Sequence, residues 1–300
     1  NTVIRRREPI ELSVRMASGD EVAPAIAGEE RLRNSDASHI LFLVHGYNNS
    51  HKDAEDSYKL FIDNLLESIR RGGSRNGPDL VAKFHWPGDV STMLGTTAGY
   101  PLDITNARTA AERVAALFNR LVRARPALRI TLVGHSMGCR LILEALKRHG
   151  QQQLAAVGVV GLMAAASPVE FCERNGRLFP TGQPPRHMLK FFSEQDSVLQ
   201  FAFPLGQWLA YQWQIEDDNY SRAMGRHGDP PEFGRTISRP QNKHGDYWRD
   251  DAIPRHIMLA IDPTTRLDTA GHELASRSLN TDDRLVARSL PSRESVTDTT

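Results

Sequence analysis

Cysteine is nearly missing from this sequence: there are two among 300 residues, Cys139 and Cys172, and they form no Cys-x-x-Cys pair. That excludes the common zinc and dithiol redox motifs. A single possible pairing in a chain of this length is no ground for a secreted disulfide scaffold. Cys139 follows a glycine turn and reads as a buried packing residue. Charge of one sign is missing too. The sequence carries 37 Lys and Arg against 36 Asp and Glu, a formal net charge of +1. No basic field is therefore available to hold a nucleic acid, and the run "RRR" at 5 to 7 reads as a solvated face or tail. Long apolar runs are absent, none approaching the ~18 residues of a membrane span. The stretch "NTVIRRREPIEL" has no hydrophobic signal core, so a cytoplasmic location is expected. It also lacks an initiator Met, which is consistent with a trimmed chain. Neither a phosphate loop, nor a dinucleotide fingerprint, nor metal-ligand spacing is found, so no cofactor and no metal are expected.

What is present is an alternation of two patterns. "HILFLVHG", "DLVAKFHWPG", "ALRITLVG", "LAAVGVVGLMAAASP" and "HMLKFF" are short apolar runs without polar alternation. Such runs are expected of parallel strands buried on both faces. Between them lie helical patterns. In "DAEDSYKLFIDNLLESIRRGG", Tyr58, Phe61, Ile62, Leu65, Leu66 and Ile69 share one face and Gly72 stops the helix. A second helix is predicted over about 104 to 124, and a third from "SMGCRLILEALKRHG". The fold class is therefore α/β, a doubly wound, mostly parallel sheet with helices on both faces. We assign 1–38 to an N-terminal extension in which "PIELSVRM" forms an edge strand, and 39–262 to the α/β domain. Within it, 200–240 reads as a lid or cap excursion, and 263–300 as a polar tail expected to be disordered.

The segment "ITLVGHSMGCRLI" joins a strand to a helix through Gly134, Ser136 and Gly138. This is the Gly-x-Ser-x-Gly pattern of a nucleophile elbow, in which glycines let strand and helix approach closely around a strained serine. A hydroxyl needs a base, and the base needs an orienting acid, here in the chain order Ser, acid, His. Asp196, just past "LKFF", is the candidate acid, with Glu194 as competitor. The histidine candidates are His227, His244, His256 and His272, and His244 in the loop "RPQNKHGDYW" is preferred over His256. An oxyanion needs about two N–H donors ~3 Å away. One is expected from Met137 and the other from Tyr47 in "LVHGYNNS", where Gly46 permits the sharp backbone. His45 is expected to hold that loop, and His135 to pack.

The segments "FLVHGYNNSHKDAEDSYKLF", "KFHWPGD", "YPLDITNARTAAERVAALFNRL", "ITLVGHSMGCRLILEAL" and "FFSEQDSVL", over roughly residues 40 to 200, together resemble the α/β-hydrolase proteins of the domain-of-unknown-function 900 type. The resemblance implies the α/β-hydrolase fold and a Ser/Asp/His site, with Ser136 at the nucleophile position and Asp196 at the acid position.

The expected function is a serine hydrolase of carboxylic esters, esterase- or lipase-like, with a small-molecule or lipid ester as substrate. Thioester or amide hydrolysis and acyl transfer on the same site are alternatives, and a non-catalytic scaffold is the alternative of another class. Phe201, Phe203, Trp208, Tyr211 and Trp213 either line an acyl pocket or lid, or pack the excursion onto the domain.

Overall fold

The computed structural model describes residues 8–13, 28–72, 77–88, 99–148, 156–179 and 185–263. His272 and the polar tail from 264 onward lie outside these residues. Seven strands form the sheet: β1 (Ile10–Ser13), β2 (His39–Val44), β3 (Leu80–His85), β4 (Arg129–His135), β5 (Val157–Met163), β6 (His187–Phe192) and β7 (Arg235–Ser238). Their order is β1-β3-β2-β4-β5-β6-β7, and every pairing is parallel. The helices are α1 (Glu29–Asn34), α2 (His51–Gly72), α3 (Tyr100–Ala124), α4 (Met137–Lys147), α5 (Val169–Cys172), α6 (Phe203–Gln212), α7 (Met224–His227) and α8 (Ala252–Ile261).

Burial explains the apolar runs. All six residues of β2, and six of the seven in β4, are buried, because α2 and α8 pack together on one face of the sheet and α3 and α4 on the other. The face of α2 presents Tyr58, Phe61, Leu65 and Ile69 to the core. Phe42 of β2 meets Phe118 of α3 edge-on, with ring centroids 4.8 Å apart. Helix α3 begins at Tyr100, a turn before the expected start, because Pro101 sits in its first turn where a missing N–H costs nothing.

The strand order reverses between β2 and β4, the switch point at which open α/β sheets bind ligands beyond the carboxyl ends of their strands. The register aligns Val44 with Gly134 and His135 with Met163. The turns leaving β2, β4 and β5 therefore emerge side by side. A correction concerns 200–240. Its last part is not an excursion, since Arg235–Ser238 is a sheet strand paired with β6. The remainder is a π-helical turn (Val198–Ala202), α6, α7 and a 3₁₀ turn (Pro231–Phe233). Cys139 and Cys172 are both buried free thiols; burial pushes the Cys172 thiol up to about 12.

Candidate active site

Ser136 lies between β4 and α4 with φ 53° and ψ −121°, a left-handed conformation for a residue with a Cβ. Such strain costs about 1–3 kcal/mol and persists only where the surroundings over-determine it. Here they do. Ser136 N–H donates to Met163 O at 2.9 Å, and Ser136 O accepts from Cys139 N–H and Ala166 N–H, each at 3.1 Å. A Cβ on Gly138 would stand 2.3 Å from His45 O and 2.6 Å from Val44 O. A Cβ on Gly134 would stand 2.7 Å from Ile142 Cδ1 and 3.0 Å from Cys139 N. Glycine at 138 is therefore a steric necessity, and glycine at 134 lets β4 lie close against the first turn of α4. Asn48 and Ala164, beyond the ends of β2 and β5, also have positive φ, as do Asn175 and Gln214 elsewhere among the described residues.

Three side chains meet at the turn after β4. His244 Nε2 is 3.0 Å from Ser136 Oγ, and His244 Nδ1 is 2.8 Å from Asp196 Oδ2. Asp196 is fully buried in the turn after β6, and its other oxygen accepts Leu199 N–H at 3.0 Å. A carboxylate on Nδ1–H leaves Nε2 as the acceptor facing the serine. The other candidates are elsewhere. Glu194 is exposed, and His227 is exposed at the end of α7. His256 lines a cavity of about 390 Å³ with Met188, Leu189 and Arg235, at the amino-terminal side of β6 and β7. Burial, and then Arg235 and Arg239, lower His256 to about 4.

The loop carrying His244 is pinned by residues without a sequence signature. Arg239 donates twice to Asp250, at 2.6 and 2.8 Å, Asn242 Nδ2 donates to the same carboxylate at 2.8 Å, and Ala252 N–H donates at 3.0 Å. His135, expected only to pack, also holds this loop: its Nε2–H donates to His244 O at 2.7 Å. Burial, and then neighbouring His244, lower His135 to about 3, so it remains a neutral donor across the physiological range.

The segment after β2 runs beside the serine. A Cβ on Gly46 would be 2.9 Å from Ser136 Cβ, which places Tyr47, half-buried, directly after that approach. His45 is saturated by scaffold bonds. Its N–H donates to Tyr58 Oη at 2.7 Å, its Nδ1–H to Gly46 O at 2.8 Å, and its O accepts Trp86 Nε1–H at 2.9 Å. Trp86-Pro87 of "KFHWPGD" and Asp103 of "YPLDITNARTAAERVAALFNRL" belong to the same frame. Asn106 Nδ2 bridges Pro87 O and Asp103 Oδ1, and Asn48 N–H donates to Gly88 O. Met137 opens α4, where the first N–H groups lack intrahelical partners.

The family model described as an alpha/beta hydrolase of unknown function (DUF900) matches residues 25–211, more than half of the sequence. The chain belongs to the DUF900 family of α/β-hydrolases. Solved structures similar to this DUF900 chain include the catalytic core domain of acetyl xylan esterase from Trichoderma reesei. It is 12% identical, with 77% of this chain and 100% of that one covered and a TM-score of 0.44. A cutinase from the same organism is 13% identical over 75% of this chain and 77% of that one, with a TM-score of 0.37. A serine hydrolase without lid from Xanthomonas campestris is 13% identical over 78% and 85%, with a TM-score of 0.38. No curated protein matches the sequence.

Proposed function

We propose that this DUF900 chain is a serine hydrolase of carboxylic esters. The observation that carries the reading is the hydrogen-bonded line Ser136–His244–Asp196 at the switch point. Ser136 Oγ attacks the ester carbonyl while His244 Nε2 takes its proton. Asp196 orients the imidazole and stabilises the imidazolium without itself accepting the proton. The oxyanion is held by the N–H groups of Met137 and Tyr47, and preorganised donors of this kind are worth about 3 kcal/mol each. His244 returns the proton to the leaving alcohol, and water, deprotonated by the same histidine, releases the acid. No step calls on a metal or cofactor.

The test is a fluorophosphonate probe followed by mapping of the adduct. Stoichiometric labelling at Ser136 is expected, abolished in Ser136→Ala. Folded protein that takes no label would overturn the reading and favour a scaffold.

An apolar acyl group is the substrate feature we favour. Directly after Asp196, Phe201, Leu205, Trp208, Tyr211 and Trp213 are exposed, whereas Phe203 is buried and packs on Tyr100. The aromatic segment thus divides its duties, Phe203 anchoring and the rest offering apolar surface to a ligand. For p-nitrophenyl esters, kcat/KM is expected to rise from acetyl to dodecanoyl, and Phe201→Ala with Trp208→Ala should flatten the rise. Equal rates across chain lengths would argue against acyl contact with this surface.

A further inference from the structure

We propose that Glu11, His51 and His85 form a binding site for a divalent transition-metal ion, Zn²⁺ being the best fit, that fastens the edge strand β1 to β3 and α2. The residues lie 40 and 34 positions apart in sequence, yet one ligand atom from each falls within 4.8 Å of the others. The fold makes this meeting. Parallel pairing of β1 with β3 sets Glu11 beside Lys83 and Ser13 beside His85, and α2 begins with His51 above them. The His51 and His85 rings stack at 4.3 Å, and His51 Nε2 is 2.9 Å from Glu11 Oε1.

His85 supplies the second, independent observation. It is 2% exposed, and its Nδ1 is buried with no hydrogen-bond partner. An orphaned buried nitrogen costs about 1–3 kcal/mol unless something fills its lone pair. Its Nε2 is engaged by Glu55 Oε1 at 2.9 Å, and Glu55 is itself held by Lys83 at 2.5 Å. A histidine that donates one ring N–H to a carboxylate and keeps the other nitrogen bare is arranged as metal-binding histidines are, with the carboxylate fixing the tautomer. An exposed His–Glu pair alone, worth little, accounts for His51 and Glu11 but leaves the buried nitrogen unexplained.

Two imidazoles and one carboxylate suit Zn²⁺, with water as the fourth ligand. Mg²⁺ and Ca²⁺ prefer all-oxygen shells. Tetrahedral bonds of about 2.0–2.2 Å place ligand atoms roughly 3.3 Å apart. The closing movement falls to His51 and Glu11, whose side chains are about half exposed, while His85 stays fixed. Its ring also lies 5.4 Å from Tyr58 and 5.8 Å from His45, so the ion would stiffen the frame behind the Gly46 loop.

The test uses untagged, chelator-stripped full-length protein titrated with ZnCl₂ in a calorimeter, together with thermal unfolding with and without Zn²⁺. One saturable site with a Kd of about micromolar or tighter is expected, with a rise in Tm that Mg²⁺ does not reproduce. His51→Ala and Glu11→Gln, both at exposed positions, should weaken binding at least tenfold and remove the Tm rise. Glu55→Gln should weaken it by roughly 10- to 100-fold through the His85 tautomer. Absence of a saturable site, or binding by His51→Ala and Glu11→Gln as tight as by the parent chain, would overturn the proposal.

Discussion

Replacing His244 by alanine is expected to lower kcat/KM on an ester by about 10,000-fold or more, because a triad acts as a unit and loss of its base leaves only binding and oxyanion contributions. His256→Ala is the control. It should retain activity within a few-fold, since His256 lines a cavity on the amino-terminal side of β6 and β7, where the sheet begins rather than where Ser136 emerges. Steady-state rates on one chromogenic ester, with circular dichroism to show that both variants fold, decide the matter. If the two substitutions have equal effects, His244 is not the base. The serine should still be present and strained in His244→Ala, so residual slow labelling by the fluorophosphonate is compatible with the mechanism.

The second large effect is structural. Gly138→Ala should destabilise the chain by more than about 4 kcal/mol or prevent folding, because the added methyl would meet two backbone carbonyl oxygens of the segment Val44–His45, at 2.6 and 2.3 Å. Neither is the far end of a flexible side chain. To relieve the clash, α4 must back away from β2, and the serine turn goes with it. Gly158→Ala makes the opposite case: an added Cβ there meets nothing within 4 Å. Its stability should be unchanged or slightly raised, since alanine has less unfolded-state freedom to lose. Urea unfolding of the two variants beside the parent chain gives the comparison. A Gly138→Ala variant with the parent's midpoint would refute the close approach of α4 and β2.

The contrast between these glycines shows what a sequence reveals and what it hides. Ser136 stands out because its whole setting is contiguous: apolar strand, glycine, serine, glycine, amphipathic helix. The order of strands along the chain then narrows the acid and histidine to a few residues, since turns on one edge of a parallel sheet converge. What stays invisible is contact across long separations that leaves no periodic trace. His135 reaches the carbonyl of His244 across 109 positions. Asp250 gathers Arg239 and Asn242 beneath the same loop. Glu216 accepts from Arg140, Arg108 and Arg177, a buried charge cluster joining α3 and α4 to the segment beyond α6. In sequence each of these is an ordinary polar residue. The cluster at Glu11, His51 and His85 escapes for the same reason, because metal motifs are recognised by short spacing and this one is assembled by strand pairing. The strand candidate "RTIS" lies inside the expected excursion at 200–240, and its pairing with β6 takes Arg235–Ser238 out of that excursion and into the sheet.

That short strand has a consequence of its own. Among the described residues β7 pairs with β6 alone, and the turn bearing His244 hangs from it. Margins of a sheet open more readily than its middle. On warming, the two borders of the sheet, β1 and β7, are expected to fray before its centre, and fraying of β7 would carry the His244 imidazole away from Ser136. Separation of His244 from Ser136 is then expected to precede loss of most of the architecture.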